Sequence, residues 1–345
     1  MFSTPLIAAP MAGGTTTPAL VHTARRAGAY GFVAGGYLTA QRLADQIAAV
    51  RRDGEDFGVN LFVPRPEPLS PADAAALARY RTELEAAAGL LGSTVPARPP
   101  AATDPAALDY WDEKVELLLA DPVPVVSFTF GLPPVRLVQQ LHARDTRIVA
   151  SVTTVAEARA AADLGVDALV VQHPHAGGHS AAFLPPGPNA ETGTDTIAEL
   201  VARVRAAVDL PLVGAGGIGD AATAKRVLAA GAQAVQVGTA LLRTDESGAR
   251  PLHKDALADP QYTRTVVTRA FTGRPARALE NDFARAHSAT APAAYPEVHF
   301  LTGPLRAAAA AVGNPQALNL WAGTAWRQAR PGPAAGIVES FLREL

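Results

Sequence analysis

Eight short runs of apolar and β-branched residues, each bounded by Gly, Pro or Asn, alternate along this chain with Ala-rich stretches of helical period. The runs fall at 6–9, 31–34, 57–61, 125–128, 148–152, 168–172, 212–215 and 234–238. Strands that are apolar on both faces need cover on both, which a parallel sheet receives from its crossover helices. Eight such units close a (β/α)8 barrel, so the expected fold is α/β, a TIM barrel. Helix-start signals agree with the pattern. Thr39 precedes 40–50, Thr154 with Glu157 opens the helix that runs to 164, and Asp220 opens 221–230. Gly165 and Gly231 close two of these helices.

Two stretches break the alternation. Residues 64–122 are too long for a simple connection and contain the Pro-rich segment 96–105, which predicts a helical excursion followed by an exposed loop. Beyond the eighth run, 243–304 mixes charged, Pro-rich and short helical pieces before a helix resumes at 305–312. A chain of 345 residues exceeds the size of one ordinary core. The expected division is a barrel over 1–243, a smaller substrate-side lid domain over 244–304, and C-terminal helices over 305–345 that return to the barrel.

Composition narrows the function. With 48% apolar and 18% charged residues the chain reads as a compact enzyme-like globule. A formal net charge of −2 without any Lys/Arg cluster leaves no electrostatic footprint for nucleic acid or an anionic membrane, so a small molecule is the expected partner. The oligomeric state is not legible. With no Cys there are no disulfides, thiolate nucleophiles or Cys-ligated metals, and redox chemistry would need a bound cofactor. No uncharged apolar run reaches the roughly 18 residues of a membrane span. The start, Met1-Phe2-Ser3-Thr4-Pro5, lacks the positive region of a signal peptide, so a cytoplasmic location is expected.

Gly214-Ala215-Gly216-Gly217-Ile218-Gly219 matches the dinucleotide fingerprint, but it follows six βα units instead of opening a domain. The next strand ends in Gln236-Val237-Gly238-Thr239, without the acidic residue a dinucleotide ribose requires. Paired Gly-rich turns after the last two barrel strands are where such barrels hold a phosphate; the alternative is that they only make tight turns. At the end of the sixth run stands Gln172-His173-Pro174-His175-Ala176-Gly177-Gly178-His179. Gly177 and Gly178 permit close approach of a planar ligand, Gln172 offers polar edge contacts, and His179 is placed as a base for a carbon-bound proton. His173, His175 and His179 could instead be metal ligands, although acidic partners are scarce and no metal is expected. After the first strand, Ala9, Pro10 and Met11 could contact the edge and face of a flat cofactor or merely make a turn, and Asn60 is a polar group at the barrel mouth or a turn former.

These segments together resemble the nitronate monooxygenases, formerly 2-nitropropane dioxygenases, particularly class I. The ordered series runs through Ala9–Gly14, Gly58–Pro64, Val126–Gly131, Ala176–His179, Gly214–Ile218, Gln236–Ala240, Phe271–Arg274, Leu301–Arg306 and Leu320–Gly323. The resemblance implies an FMN-binding barrel that oxidises alkyl nitronates such as propionate 3-nitronate with O2, through a flavin semiquinone and without reduced nicotinamide. It implies that Asn60, Gln172, Gly177, Gly217 and Gln236 to Thr239 contact the flavin, the last group at its phosphate, with Met11 near the ring. It further implies that His179 removes the α-proton of neutral nitroalkanes and that Tyr295 lines the substrate pocket. The chain departs from the family where His173 and His175 replace a Gly and a Glu, which makes His175 a second candidate at the substrate. Ala307 and Thr324 stand where the family often has Lys and Gln. An FMN-dependent reductase that uses NAD(P)H, of the enoyl-acyl carrier protein or quinone type, shares the scaffold and is the main alternative; a His-ligated metal hydrolase is a lesser one.

Overall fold

A computed structural model of the chain describes residues 2–345 except 53, 55, 66 and 186–195. The strands are β1 (Leu6–Ala8), β2 (Tyr30–Ala34), β3 (Gly58–Phe62), β4 (Val125–Thr129), β5 (Arg147–Val152), β6 (Ala168–Gln172), β7 (Gly178–His179), β8 (Leu212–Ala215), β9 (Ala234–Val237), β10 (Thr265–Thr268) and β11 (Ala276–Leu279). Strands β1 to β6, β8 and β9 form a closed parallel barrel in chain order, the TIM barrel expected. Each lies within one residue of its predicted run at either end.

The α-helices are α1 (Pro18–Arg26), α2 (Ala40–Arg51), α3 (Pro71–Leu90), α4 (Trp111–Ala120), α5 (Val135–His142), α6 (Val155–Leu164), α7 (Ile197–Ala207), α8 (Ala221–Ala229), α9 (Pro251–Ala256), α10 (Asp282–His287), α11 (Glu297–Ala311) and α12 (Ala334–Leu342). None of the described helices is long and apolar enough to cross a membrane. Thr39, Thr154 and Asp220 cap α2, α6 and α8, each side-chain oxygen accepting a first-turn N–H. Such a cap contributes about 1 kcal/mol.

The lower barrel interior is filled by Ile7, Tyr30, Phe32, Val125, Val149, Val170 and Val213. Phe32 fits only because residue 58 on the next strand is Gly: a Cβ there would stand 2.2 Å from its ring. A second apolar layer lies between the strands and the outer helices.

Packing divides the chain differently from the expected 244–304 unit. A separate core gathers Leu77, Tyr80, Leu84 and Ala88 of α3 with residues scattered from Leu242 to Trp326, including Val298, Leu301 and Leu305 of α11. The excursion thus supplies one wall of the small unit, and α11 belongs to it. Of the C-terminal helices only α12 returns to the barrel, against α1 and α8. The reason is that each of these helices has an apolar face that must be covered, and α3 and α11 cover one another.

Within the small unit β10 and β11 pair antiparallel, and β11 in turn pairs with β7, setting Ala276 opposite His179 and Arg277 opposite Gly178. The loop that leaves β6 is therefore held by the appended sheet.

Candidate active site

All eight barrel strands contribute, at or just past their C-terminal ends, to a single cavity of about 340 Å³. Ala9, Pro10, Met11, Asn60, Gln172, Gly177, Gly178, Gly216, Gly217, Gln236, Val237, Gly238, Thr239 and His179 all line it. Gly214 does not. It lies within β8, where a Cβ would meet Val227 at 2.3 Å, so its smallness serves strand-to-helix packing.

At one end, the backbone N–H groups of Gly216, Gly217, Gly238 and Thr239 have no acceptor within the protein among the described residues. Two turns that each present unpaired N–H groups to one cavity make an anion cradle. Further along, Asn60 is buried, and its Nδ2 donates to Ser127 Oγ at 2.9 Å and Thr129 Oγ1 at 3.0 Å. Its Oδ1 has no partner among the described residues and stands at the cavity wall. Gln172 is mostly committed to the chain itself: Nε2 donates to the His179 carbonyl at 3.1 Å and Oε1 accepts the Ala181 N–H at 2.8 Å. Its first task is to hold the loop that carries His179.

Three further contacts fix that loop. Arg274 Nε donates to the Ser180 carbonyl at 2.9 Å, its Nη2 donates to the Ala182 carbonyl, and its guanidinium lies 4.0 Å above the Phe130 ring. The Ser180 N–H donates to the Pro275 carbonyl at 2.8 Å. The buried Glu157 carboxylate accepts the N–H groups of Phe183 and Leu184 at 2.6 and 2.9 Å.

His179 Nε2 lies 2.9 Å from Thr272 Oγ1. That hydroxyl faces the Arg274 carbonyl, which can only accept, at 3.4 Å. With the Thr272 proton on that carbonyl, Nε2–H donates to Thr272 and the lone pair falls on Nδ1, which has no partner among the described residues. The rings of Phe130, Tyr295 and Trp321 surround the imidazole at 5.7, 5.7 and 5.3 Å. Burial first, then Arg274 and Arg306, holds its pKa at about 3, far below the usual value.

Two expected substrate residues sit elsewhere. His175 is absent from the cavity lining; its ring packs edge-on to His173 at 4.4 Å and its carbonyl accepts the Thr324 N–H, so it does not compete with His179. Tyr295 is one layer back, its hydroxyl donating to that of Tyr37 at 3.2 Å, and it is Tyr37 that reaches the cavity. Among the described residues no group of three or more His, Asp or Glu is arranged to hold a metal ion, so His173, His175 and His179 do not converge as ligands.

Tyr37, Thr272 and His299 line the site without having been singled out from the sequence. Tyr37 and His299 stack at 4.4 Å with their planes 2° apart. The signals were faint: Tyr37 follows Gly35-Gly36 at a strand end, and His299 shares a helix face with Arg306 seven residues on.

The family model described as nitronate monooxygenase matches residues 1–344. Probable nitronate monooxygenases of Staphylococcus aureus and Staphylococcus saprophyticus are each 33% identical over 99% of this chain and 94% of their own. The crystal structure of nitroalkane oxidase from Streptomyces ansochromogenes superposes with a TM-score of 0.92 at 44% identity, covering 100% of this chain and 96% of that one. FabK from Thermotoga maritima has a TM-score of 0.70 at 24% identity over 99% of this chain and 92% of its own, a likeness of fold. The chain belongs to the nitronate monooxygenase family and is an oxidoreductase acting on nitro compounds.

Proposed function

We propose that this cavity holds FMN and that the enzyme oxidises alkyl nitronates, propionate 3-nitronate among them, with O2, His179 serving as base when the substrate arrives as a neutral nitroalkane. The observation that carries the reading is the pairing of one buried imidazole, that of His179, with an anion cradle in the same cavity. The residues present suit the cofactor. Gly216, Gly217, Gly238 and Thr239 would hold the phosphate, Asn60 Oδ1 and the second Nε2–H of Gln172 would meet polar ring edges, and Met11 would pack against the ring. When bound, FMN supplies the electron acceptor that no side chain of a Cys-free chain can replace.

The protein's own part is proton transfer and exclusion of water. Nδ1 of His179 accepts the α-proton, and the resulting imidazolium keeps its Nε2–H on Thr272. The surrounding rings keep competing water away. A preformed nitronate has already lost that proton and needs no base.

Replacing His179 with Asn tests this directly. kcat/KM for neutral nitroalkanes is expected to fall about 100-fold or more while preformed nitronates lose no more than about threefold. Equal losses on both would remove His179 from the role of base.

A further inference from the structure

Arg306 is a cation on the cavity wall with no neutralising group beside it among the described residues. Among the described residues no Asp or Glu lines the space. Its Nε donates to Thr302 Oγ1 at 3.2 Å, and Nη2 donates to the His299 carbonyl at 2.9 Å and to His299 Nδ1 at 3.3 Å. Nη1 has no partner among the described residues. Arginines this enclosed are ordinarily paired with a carboxylate. Arg274 is engaged otherwise, its guanidinium donating to two loop carbonyls and lying over Phe130. Among the described residues two arginines line the cavity, Arg250 and Arg306; Arg250 is exposed, whereas Arg306 is enclosed and keeps an open donor. Burial draws its pKa down to about 10, as expected of a charge without a counter-ion.

Its place on the wall matters as much as its charge. From His179 a chain of contacts runs behind the wall to Tyr295, 5.7 Å away between ring centres, returns to the wall at Tyr37 through the 3.2 Å hydroxyl contact, and continues to the stacked His299 that meets Arg306. A substrate carbon held at His179 Nδ1 therefore leaves Arg306 to another part of the same molecule. We propose that Arg306 is the receptor for a second anionic group, a carboxylate at the far end of the substrate, and that it gives the enzyme its preference for nitronates that carry one. The inference rests on the reading of the site as a nitronate-oxidising one. A guanidinium with a free N–H suits this group because a charge-assisted hydrogen bond to carboxylate is short and strong in a water-poor cavity.

Steady-state kinetics on the flavin-loaded enzyme, with propionate 3-nitronate and its uncharged-tail counterpart propyl-1-nitronate, provides the test. Replacing Arg306 with Met is expected to raise KM for the carboxylated substrate about 30-fold and for the other less than about threefold, with kcat for both nearly kept. Arg306→Lys should recover a large part of the difference. Equal KM increases for both substrates in Arg306→Met, or none for either, would overturn the proposal. Calorimetric binding of succinate and butyrate separates it from the activity itself. Wild type should bind succinate at least about tenfold more tightly than butyrate, and Arg306→Met should show no preference. Succinate preference without nitronate turnover would keep the receptor and discard the reaction; nitronate turnover without that preference, and with equal KM changes, would do the reverse.

Discussion

His179 owes its lone pair to its surroundings more than to any acidic partner. Among the described residues no carboxylate faces it in the cavity, while burial among a shell of rings and two arginines penalise the imidazolium. Its pKa is lowered to about 3, so the neutral form persists as pH falls through the ordinary histidine range and is lost only near that value. The rate constant kcat/KM for a neutral nitroalkane is therefore expected to show no acid limb between pH 8 and pH 5. A histidine titrating at its ordinary value would lose roughly tenfold by pH 5.5, and a limb placed there would contradict the assignment. His179, the proposed base, could be singled out in the sequence because Gly177 and Gly178 precede it at a strand end. Thr272 was not, since a lone Thr some 90 residues on gives no sign of which nitrogen it will fix. His175 misled for the opposite reason: it is near His179 in sequence, yet it turns against His173 and the Gly323-Thr324 backbone. The departure at Ala307 also loses its force, because that side chain is exposed and does not line the cavity.

The link between elements that most affects the site runs from the excursion to Tyr37. Tyr37 has φ +66°, a left-handed conformation that a bulky residue adopts only when its neighbours enforce it. Its N–H donates to Asp109 Oδ1 at 2.6 Å, and Asp109 Oδ2 pairs with the fully buried Lys114 of α4 at 2.8 Å. Burial raises the Asp109 pKa to about 6 against the pull of Lys114, and lowers that of Lys114. Changing Lys114 to Met leaves the carboxylate without its partner and is expected to cost about 3 kcal/mol in a urea titration. Adding Asp109→Asn, which keeps the acceptor for Tyr37, should restore most of that loss; a neutral single variant would show that the pair does not hold Tyr37. The strands themselves were readable to within a residue, since burial on both faces leaves a continuous apolar run. The partners of α3 and α11 were not, because an amphipathic pattern says that a face is covered and is silent about what covers it.

At the scale of the molecule, two cores close on one cavity. The barrel supplies the anion cradle, Asn60 and Gln172; the second core brings Thr272, His299, Arg306 and Trp321 to the opposite wall. Met11 packs against both cores. The sheet of β10, β11 and β7 joins the halves at His179 itself, which accounts for a small unit that completes the site instead of merely covering it. Most residues of the barrel half stand in Gly-rich turns whose chemistry could be read from the sequence; Thr272, Arg306 and Trp321 of the other half fall in short segments of the family series spread over some 50 positions, whose side chains alone do not announce a site. The measurement that bears most directly on this arrangement is the anaerobic absorbance spectrum of the purified protein, recorded alone, with propionate 3-nitronate, and separately with NADH. Flavin bands in the untreated protein that change on adding the nitronate and stand unchanged with NADH are the expected result. A colourless protein, or bands bleached by NADH and untouched by the nitronate, would contradict it.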